Sequence, residues 1–527
     1  MKTFQKYATL FLATIFLACS PSPGKAVLVE PPNILFCIAD DASFPHMGAY
    51  GTSWVNTPGF DRVAREGLLF TRAYTPNAKC APSRSAILTG RNSWQLEEAA
   101  NHSGNFPEKF STFMEVLGNH GYLTGCTGKG WAPGVPGTRN GKPRQLTGKP
   151  YNTVTTPTPT EKISKIDYTG NFKDFLKGNS VKGPWAFWYG GYEPHRAYAY
   201  GSGVQLGHKS PEAISEVPSF WPDETVVRND ILDYAYEIEY FDSHLRAMIQ
   251  HLENTGQLEN TLIVVTSDNG MPFPRVKGQA YEFSNHMPLA VMWPKGIHTP
   301  GRSIANYVSF IDLAPTFLEV AGLEWSQTEM ASSPGQSLTE FFDPSPQTHS
   351  TRKDFVLMGK ERHDVGRPKD VGYPIRGIFK DDYLYIKNYE PLRWPAGNPE
   401  TGYLNTDGSP TKSRILQMRR KGEDKSYWDM NFGKRVAEEL YHVGQDPMCV
   451  ENLAQNADVD SLKGKLARLL TENLLEQNDP RMLGNGAVFD SYPYRGRVSN
   501  FYERHQKGEK VPAGWVNDSD FEIEALK

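Results

Sequence analysis

Two uninterrupted apolar runs constrain this chain more than anything else in it. Asn33-Ile34-Leu35-Phe36-Cys37-Ile38-Ala39 runs into Asp40-Asp41, and Thr261 to Ser267 runs into Asp268-Asn269. A run that stays apolar without alternating fits a strand buried on both faces, as in a parallel sheet covered by helices. Tyr122 to Thr127, Trp185 to Tyr189 and Pro288 to Trp293 read the same way. Helical stretches separate them. Asn56-Thr57-Pro58 opens one that carries Asp61, Val63, Ala64 and Leu68, with Thr57 as N-cap and Pro58 at the first helical position. Phe113 to Leu117 is stopped by Gly118 and Gly121, and Ile311 to Leu323 is closed by Gly322. The clearest is 226–254, where Ile231, Tyr234, Ile238, Phe241, Leu245, Met248 and Leu252 alternate spacings of three and four before Gly256. The alternation predicts an α/β fold: a large, mostly parallel, doubly wound sheet flanked by helices.

After about residue 330 the composition changes. Ser, Pro, Thr and Gln cluster through 326–350, Arg376 to Asn388 reads as a hairpin around Lys380-Asp381-Asp382, and Ser461 to Gln477 reads as a helix carrying Leu462, Leu466, Leu469, Leu470 and Leu474. The expected division is a main domain over 27–370 and a smaller α+β C-terminal subdomain with antiparallel strands over 371–527. Residues 132–160, rich in Gly, Pro, Thr and Asn, read as a long ordered loop near the site. Residues 1–26 read as a signal peptide: Lys2 and Lys6 precede the apolar run Tyr7 to Ala18, which is too short to span a bilayer. Phe16-Leu17-Ala18-Cys19 resembles a bacterial lipobox with Phe where Leu is usual, so lipidation of Cys19 and simple cleavage nearby both remain open. Either predicts export to the periplasm or outer-membrane surface of a bacterium, with a lipid anchor as the sole membrane contact. A net charge of −4 over 527 residues, with no basic stripe, argues against a nucleic-acid partner. Anion recognition must be local.

The strand ends are where ligand sites of open parallel sheets lie. Asp40, Asp41, Asp268 and Asn269 there form an all-oxygen donor set that suits Ca²⁺ or Mg²⁺ and not zinc. Either pair alone is ordinary turn chemistry; both following buried strands is a stronger signal. Between them, Lys79-Cys80-Ala81-Pro82-Ser83-Arg84 puts a cysteine at a helix start, with Pro82 in the first turn and Arg84 one turn on. Helix N–H groups and a guanidinium fork there face whatever anion lies in front.

Cys80-Ala81-Pro82-Ser83-Arg84 followed by Leu88-Thr89-Gly90-Arg91 resembles the signature of the type I sulfatases of the alkaline-phosphatase superfamily. The resemblance implies that a maturation enzyme converts Cys80 to formylglycine, whose hydrate is the nucleophile, and that Asp40, Asp41, Asp268, Asn269 and the modified Cys80 bind the metal. Lys129 in Thr127-Gly128-Lys129-Gly130, His195 after Pro194, and Lys277 resemble further family elements. They imply that Arg84, Lys129 and Lys277 stabilise charged oxygens and that Lys277 or His195 protonates the leaving alcohol. Two positions depart from the pattern. Trp131 stands where a histidine is usual, and His286 where an arginine is usual, so the base for sulfate release is open between His195 and His286. His46, Trp131 and His286 are candidate substrate-binding residues. Asp268-Asn269-Gly270-Met271-Pro272-Phe273-Pro274, Pro194-His195-Arg196 and Trp221-Pro222-Asp223 resemble the branch holding heparan N-sulfatase and bacterial polysaccharide sulfatases. The expected activity is hydrolysis of sulfate esters on a sulfated carbohydrate such as ulvan, carrageenan or a glycosaminoglycan. Trp131, Trp185, Trp188, Tyr192, Tyr198 and Tyr200 are available to stack on sugars. The alternatives are an N-sulfoglucosamine sulfohydrolase, a phosphoryl hydrolase with an unmodified nucleophile, and a catalytically dead glycan-binding lipoprotein.

Overall fold

The apolar runs form the centre of a nine-stranded sheet in the computed structural model, which describes residues 30–178, 183–343 and 352–526. The leader and Cys19 lie outside those residues. The strands are β1 (Asn33–Ala39), β2 (Leu68–Tyr74), β3 (Leu123–Gly128), β6 (Lys149–Pro150), β7 (Trp185–Gly190), β8 (Thr261–Ser267), β9 (His286–Met292), β10 (Arg302–Ile304) and β11 (Val308–Ser309); β4 (Thr138–Arg139) and β5 (Lys142–Pro143) make a separate ribbon in the 132–160 loop. The order is β10-β2-β9-β8-β1-β7-β3-β6, with β11 also on β2. Every pairing is parallel except those of β9 with β2 and β8. The doubly wound expectation holds, with one reversed strand.

Both faces of β1 are buried, which is why its run does not alternate. Leu35 and Cys37 pack with Ile231, Ile238 and Leu245 of the helix Thr225–Asn254. Ile34 and Phe36 pack on the other face with Ile87 and Leu88 of the helix Cys80–Thr89 and with Phe113 and Phe317. At about 25 cal/mol per Å² of apolar surface, these two layers dominate the stability of the domain.

The region 56–68 differs from expectation. The helix is Pro58–Arg65, and Leu68 opens β2 instead of extending it. The Thr57 side chain makes no cap bond; its hydroxyl accepts from the Gly48 N–H at 2.8 Å and donates to Asp61 at 3.1 Å. Leu68 carries the helical spacing by coincidence, because its side is buried in the sheet at the same position.

A second, antiparallel sheet orders β12 (Phe355–Lys360), β13 (Ile375–Lys380), β14 (Tyr383–Asn388) and β15 (Glu438–His442). The helix Asp460–Glu476 lays Leu466, Leu470 and Leu474 on Leu357, Ile378, Tyr385 and Leu440. The expected hairpin is β13–β14. Because β12 belongs to this sheet, the sheet starts at Phe355, ahead of the expected boundary after residue 370.

Candidate active site

Register brings the motifs to one edge. Ala39 lies opposite Ser267, Ile38 opposite Gly190, and Gly190 opposite Gly128, so four neighbouring strands end at one level. Asp40-Asp41, Asp268-Asn269, His195 and Lys129 leave the sheet there. From β2 the chain turns into the helix Cys80–Thr89, all of whose residues are buried. Thr75 donates to Ser83 Oγ at 2.8 Å and Ser83 donates to the Asp268 carbonyl at 2.6 Å, which pins the helix start against the β8 end.

The side chains interlock. Arg84 Nε donates to Asp268 Oδ2 at 2.7 Å, and Nη1 donates to the carbonyls of Lys129 and Gly130 at 2.6 and 2.9 Å. Lys129 Nζ is 2.6 Å from Asp40 Oδ2. Lys277 Nζ lies 2.6 Å from Asp41 Oδ2 and 2.9 Å from Asp407 Oδ2. The Asn269 amide donates to Asp41 Oδ1 at 2.7 Å, and Cys80 Sγ stands 3.9 Å from that same oxygen. Asp41 itself sits at φ 79°, an uncommon conformation for a residue with a side chain and one that concentrates at functional sites. His195 Nδ1 lies 2.6 Å from the Arg196 carbonyl, which fixes it as the donor nitrogen and leaves Nε2, 3.8 Å from Asp41 Oδ2, able to exchange a proton.

Burial and charge set the protonation states. Burial alone would raise Asp40, but Lys129, His195 and Arg84 outweigh it and hold the carboxyl well below its usual range. Burial raises Asp268 to about 7 against the pull of Arg84. Burial, reinforced by the Asp40 carboxylate, pushes the Cys80 thiol well above its ordinary value. A thiol in that position is a poor nucleophile.

The donor set can be tested for fit to a divalent metal. Asp40 Oδ1 and Asn269 Oδ1 are buried and have no hydrogen-bond partner, and Arg84 Nη2, 3.5 Å from Asp40 Oδ1, is not bonded to it. Oxygens of Asp40, Asp41 and Asp268 lie within 4.8 Å of one another. Buried polar atoms left without partners are costly; a hard cation would satisfy both oxygens. The residues present fit Ca²⁺ or Mg²⁺. A sulfur ligand does not belong in that set, whereas an oxygen group at position 80 does.

Of the remaining candidates, the structure brings none into this cluster. Trp131 is buried; its indole donates to the Ala81 carbonyl at 3.1 Å and to Ser85 Oγ at 2.7 Å, and its ring meets Phe106 edge-on. It buttresses the helix Cys80–Thr89. His286 is stacked between Phe44 and Tyr74 and paired to Glu282. His46 lines an aromatic cavity with Trp54, Trp221 and Phe283, its Nδ1 3.1 Å from the Tyr234 hydroxyl. Trp185 and Trp188 are core residues of β7, which corrects their reading as sugar platforms; Tyr192 and Tyr200 are exposed. Two features escaped sequence reasoning: Asp407, and the buried ion pair Lys79–Asp364 at 2.6 Å with His102 at 3.1 Å on the same carboxylate. Asp407 and Asp364 rest on irregular segments with no local motif, and the partner of Lys79 could not be read from the stretch that holds it.

Comparison with known proteins agrees with this geometry. The sulfatase family model matches residues 32–323, and a model described as the C-terminal region of N-sulphoglucosamine sulphohydrolase matches residues 276–389. The chain belongs to the sulfatase family and is a sulfuric ester hydrolase. It is 26% identical to an ulvan-active sulfatase of Formosa agariphila over 460 residues, covering 86% of this chain and 82% of the relative. It is also 26% identical to human N-sulphoglucosamine sulphohydrolase over 499 residues, covering 88% and 93%. Among solved structures, one determined with its substrate D-glucosamine-2-N,6-O-disulfate superposes with a TM-score of 0.60 at 18% identity, covering 85% of this chain and 98% of the other. The superposition shows that the two chains share a fold.

Proposed function

We propose that this protein hydrolyses O-sulfate esters on a sulfated glycan, using formylglycine at position 80 and one Ca²⁺ or Mg²⁺ ion. The observation that carries the proposal is the pair of buried, unpartnered oxygens, Asp40 Oδ1 and Asn269 Oδ1, beside a cysteine whose thiol burial disarms. Asp40, Asp41, Asp268 and Asn269 would hold the metal, which supplies Lewis-acid polarisation of a sulfate oxygen. Conversion of Cys80 by a maturation enzyme would supply a geminal diol, which can release sulfate without water attack at sulfur. Arg84, locked by Asp268 and two carbonyls, presents fixed positive charge where the sulfate oxygens would lie. Lys129 adds a second charge through Asp40, and Lys277 a third through Asp41. His195, with its tautomer set by the Arg196 carbonyl, is placed to give a proton at Nε2 to the leaving alcohol and to accept one back during release.

Glycan as the substrate class rests on what the relatives are named for, ulvan and glucosamine sulfates. The match to the C-terminal model of N-sulphoglucosamine sulphohydrolase favours a second reading, N-sulfate hydrolysis. We further propose export from the leader at 1–26, with or without lipidation of Cys19, and a division into catalytic and C-terminal parts. Sulfate release from a panel of O- and N-sulfated oligosaccharides tests the activity. Wild type releases sulfate, and Cys80→Ala releases none above background. Full activity in that variant, or a native Cys80 peptide carrying a free thiol by mass spectrometry in an active preparation, would overturn the reading.

A further inference from the structure

The cluster contains one carboxylate that the metal does not need. Asp407 lies outside both matched family regions, in the loop ahead of the helix Pro410–Arg420. The loop is tied down on each side. Asn405 donates to the Gly278 carbonyl at 3.3 Å, Lys412 donates to the Thr406 carbonyl at 2.7 Å, and Thr411 donates to Asp230, the partner of Arg196. These bonds hold the loop against the two segments that carry Lys277 and His195. Asp407 is 6% exposed. Its Oδ2 is 2.9 Å from Lys277 Nζ. Ligand atoms of Asp407, His195 and Asp41 lie within 4.8 Å of one another. That spacing resembles a second metal site, but the Lys277 ammonium already bridges Asp41 and Asp407 and fills the position a cation would take.

In the function proposed above His195 serves the ester oxygen and Lys277 adds positive charge through Asp41, and this inference rests on that reading. A carboxylate within a few ångströms of both is out of character for a site that binds sulfate. It repels the transferred group unless something on the substrate requires it. The substituent on the sugar carbon next to the ester carbon comes within reach of a group placed beside the leaving oxygen.

We propose that Asp407 is the specificity-determining residue of this site: Oδ2 aims Lys277, and Oδ1 accepts a hydrogen bond from a hydroxyl or ammonium group vicinal to the sulfate ester. The enzyme then prefers esters flanked by a hydrogen-bond donor and discriminates against esters flanked by a second sulfate or a carboxylate. Like charges at that separation repel, whereas a hydrogen bond to an ionised acceptor is among the stronger neutral-to-ion contacts. Removing the donor leaves Oδ1 without that hydrogen bond while Oδ2 stays on Lys277, and an unmet polar group is how such sites reject analogues.

The test uses monosulfated pyranoses as probes. Each is paired with a counterpart lacking the vicinal hydroxyl and with one carrying a second sulfate there. For every monosulfate that wild type hydrolyses, kcat/KM is expected to fall at least about tenfold for both counterparts. Asp407→Asn keeps the shape and loses the charge; the penalty for the vicinal sulfate shrinks about tenfold or more relative to wild type. Asp407→Glu restores the order of preference. Wild-type ratios need no variant, so a poorly folding Asp407→Asn does not spare the inference. Equal kcat/KM across each trio in active wild type overturns it while leaving the sulfatase reading intact. So does an Asp407→Asn that lowers all three substrates by one common factor, the mark of a residue that only aims Lys277. Wild type that releases no sulfate from any probe or oligosaccharide overturns the function and this inference with it.

Discussion

Two of the buried networks of charge among the described residues differ in what they leave over. In the C-terminal sheet, Arg376 donates to Asp479 from Nε and Nη2 at 2.7 and 3.1 Å, lies 2.7 Å from Glu361, and gives Nη1 to the Ile375 carbonyl at 2.8 Å. Arg481 Nε donates to that same Glu361 oxygen at 2.8 Å and its Nη2 donates to the other oxygen. Two guanidiniums meet two carboxylates, and no buried atom of the four lacks a partner. At the edge of the parallel sheet, Arg84, Lys129 and Lys277 meet Asp40, Asp41, Asp268, Asn269 and Asp407, and the Asp40 and Asn269 Oδ1 atoms and Arg84 Nη2 are left without bonds. Both networks are equally buried, so burial does not separate them. Unspent valence does: the closed network leaves no atom over, and the open one keeps the atoms that the proposed function gives to an ion and a substrate.

Breaking the closed network is expected to cause the largest effect on stability. Arg376→Met strands Asp479 in the core, leaves Glu361 to Arg481 alone, and should cost about 3–5 kcal/mol in denaturant unfolding. Its folded fraction should keep wild-type kcat for sulfate release, since no atom of that network touches the site. Unchanged stability with a tenfold loss of kcat would erase the distinction between the networks. The open network should respond to its ion instead. Chelation of the protein as isolated should cost about 3 kcal/mol relative to Ca²⁺ at a hundredfold above its dissociation constant. Asn269→Ala, which removes one of the unpartnered oxygens, should flatten that response. A chelator-insensitive melt would mean that the two oxygens are unmet for some other reason.

The open network was more legible in the sequence than the closed one, for physical reasons. Asp40, Asp41, Asp268 and Asn269 stand directly after uninterrupted apolar runs, and a parallel register places such positions side by side without further information. Cys80 and Arg84 share one helical turn, so their relation is local. Lys129 and His195 also follow strands. Lys277 has no such anchor, and Asp407, 130 residues beyond it, has no sequence pattern at all; it is placed by loop bonds from Asn405, Thr411 and Lys412. The helix expected to run to Leu68 failed because a residue buried in a strand satisfies helical spacing as well. Trp131 was the instructive case. In the sequence it is a lost histidine; in the structure its indole N–H reaches the backbone of the helix Cys80–Thr89, which no spacing could reveal.

His46 gives the finest test, because it lies near the open network yet belongs to the closed kind. Its Nδ1 is satisfied by the Tyr234 hydroxyl, which in turn accepts from the Ser43 N–H at 3.1 Å, and Trp54 and Phe283 cover the ring. Burial lowers its pKa to about 3. The folded protein therefore keeps His46 neutral where the unfolded chain protonates it. Above the ordinary imidazole value both states are neutral and the full stability is present. As pH falls below about 6.5, the unfolded chain gains a proton that the native state refuses, and stability declines until the folded value is reached. By pH 5 the loss from this one group should be about 2 kcal/mol. Other buried groups titrate in the same range, so the quantity to measure is the difference between wild type and His46→Gln, which cannot titrate. Unfolding free energies at pH 7 and pH 5 should show wild type losing about 2 kcal/mol more than the variant. Parallel curves would mean that His46 accepts a proton in the folded state, and it would then belong with the residues that have valence to spare.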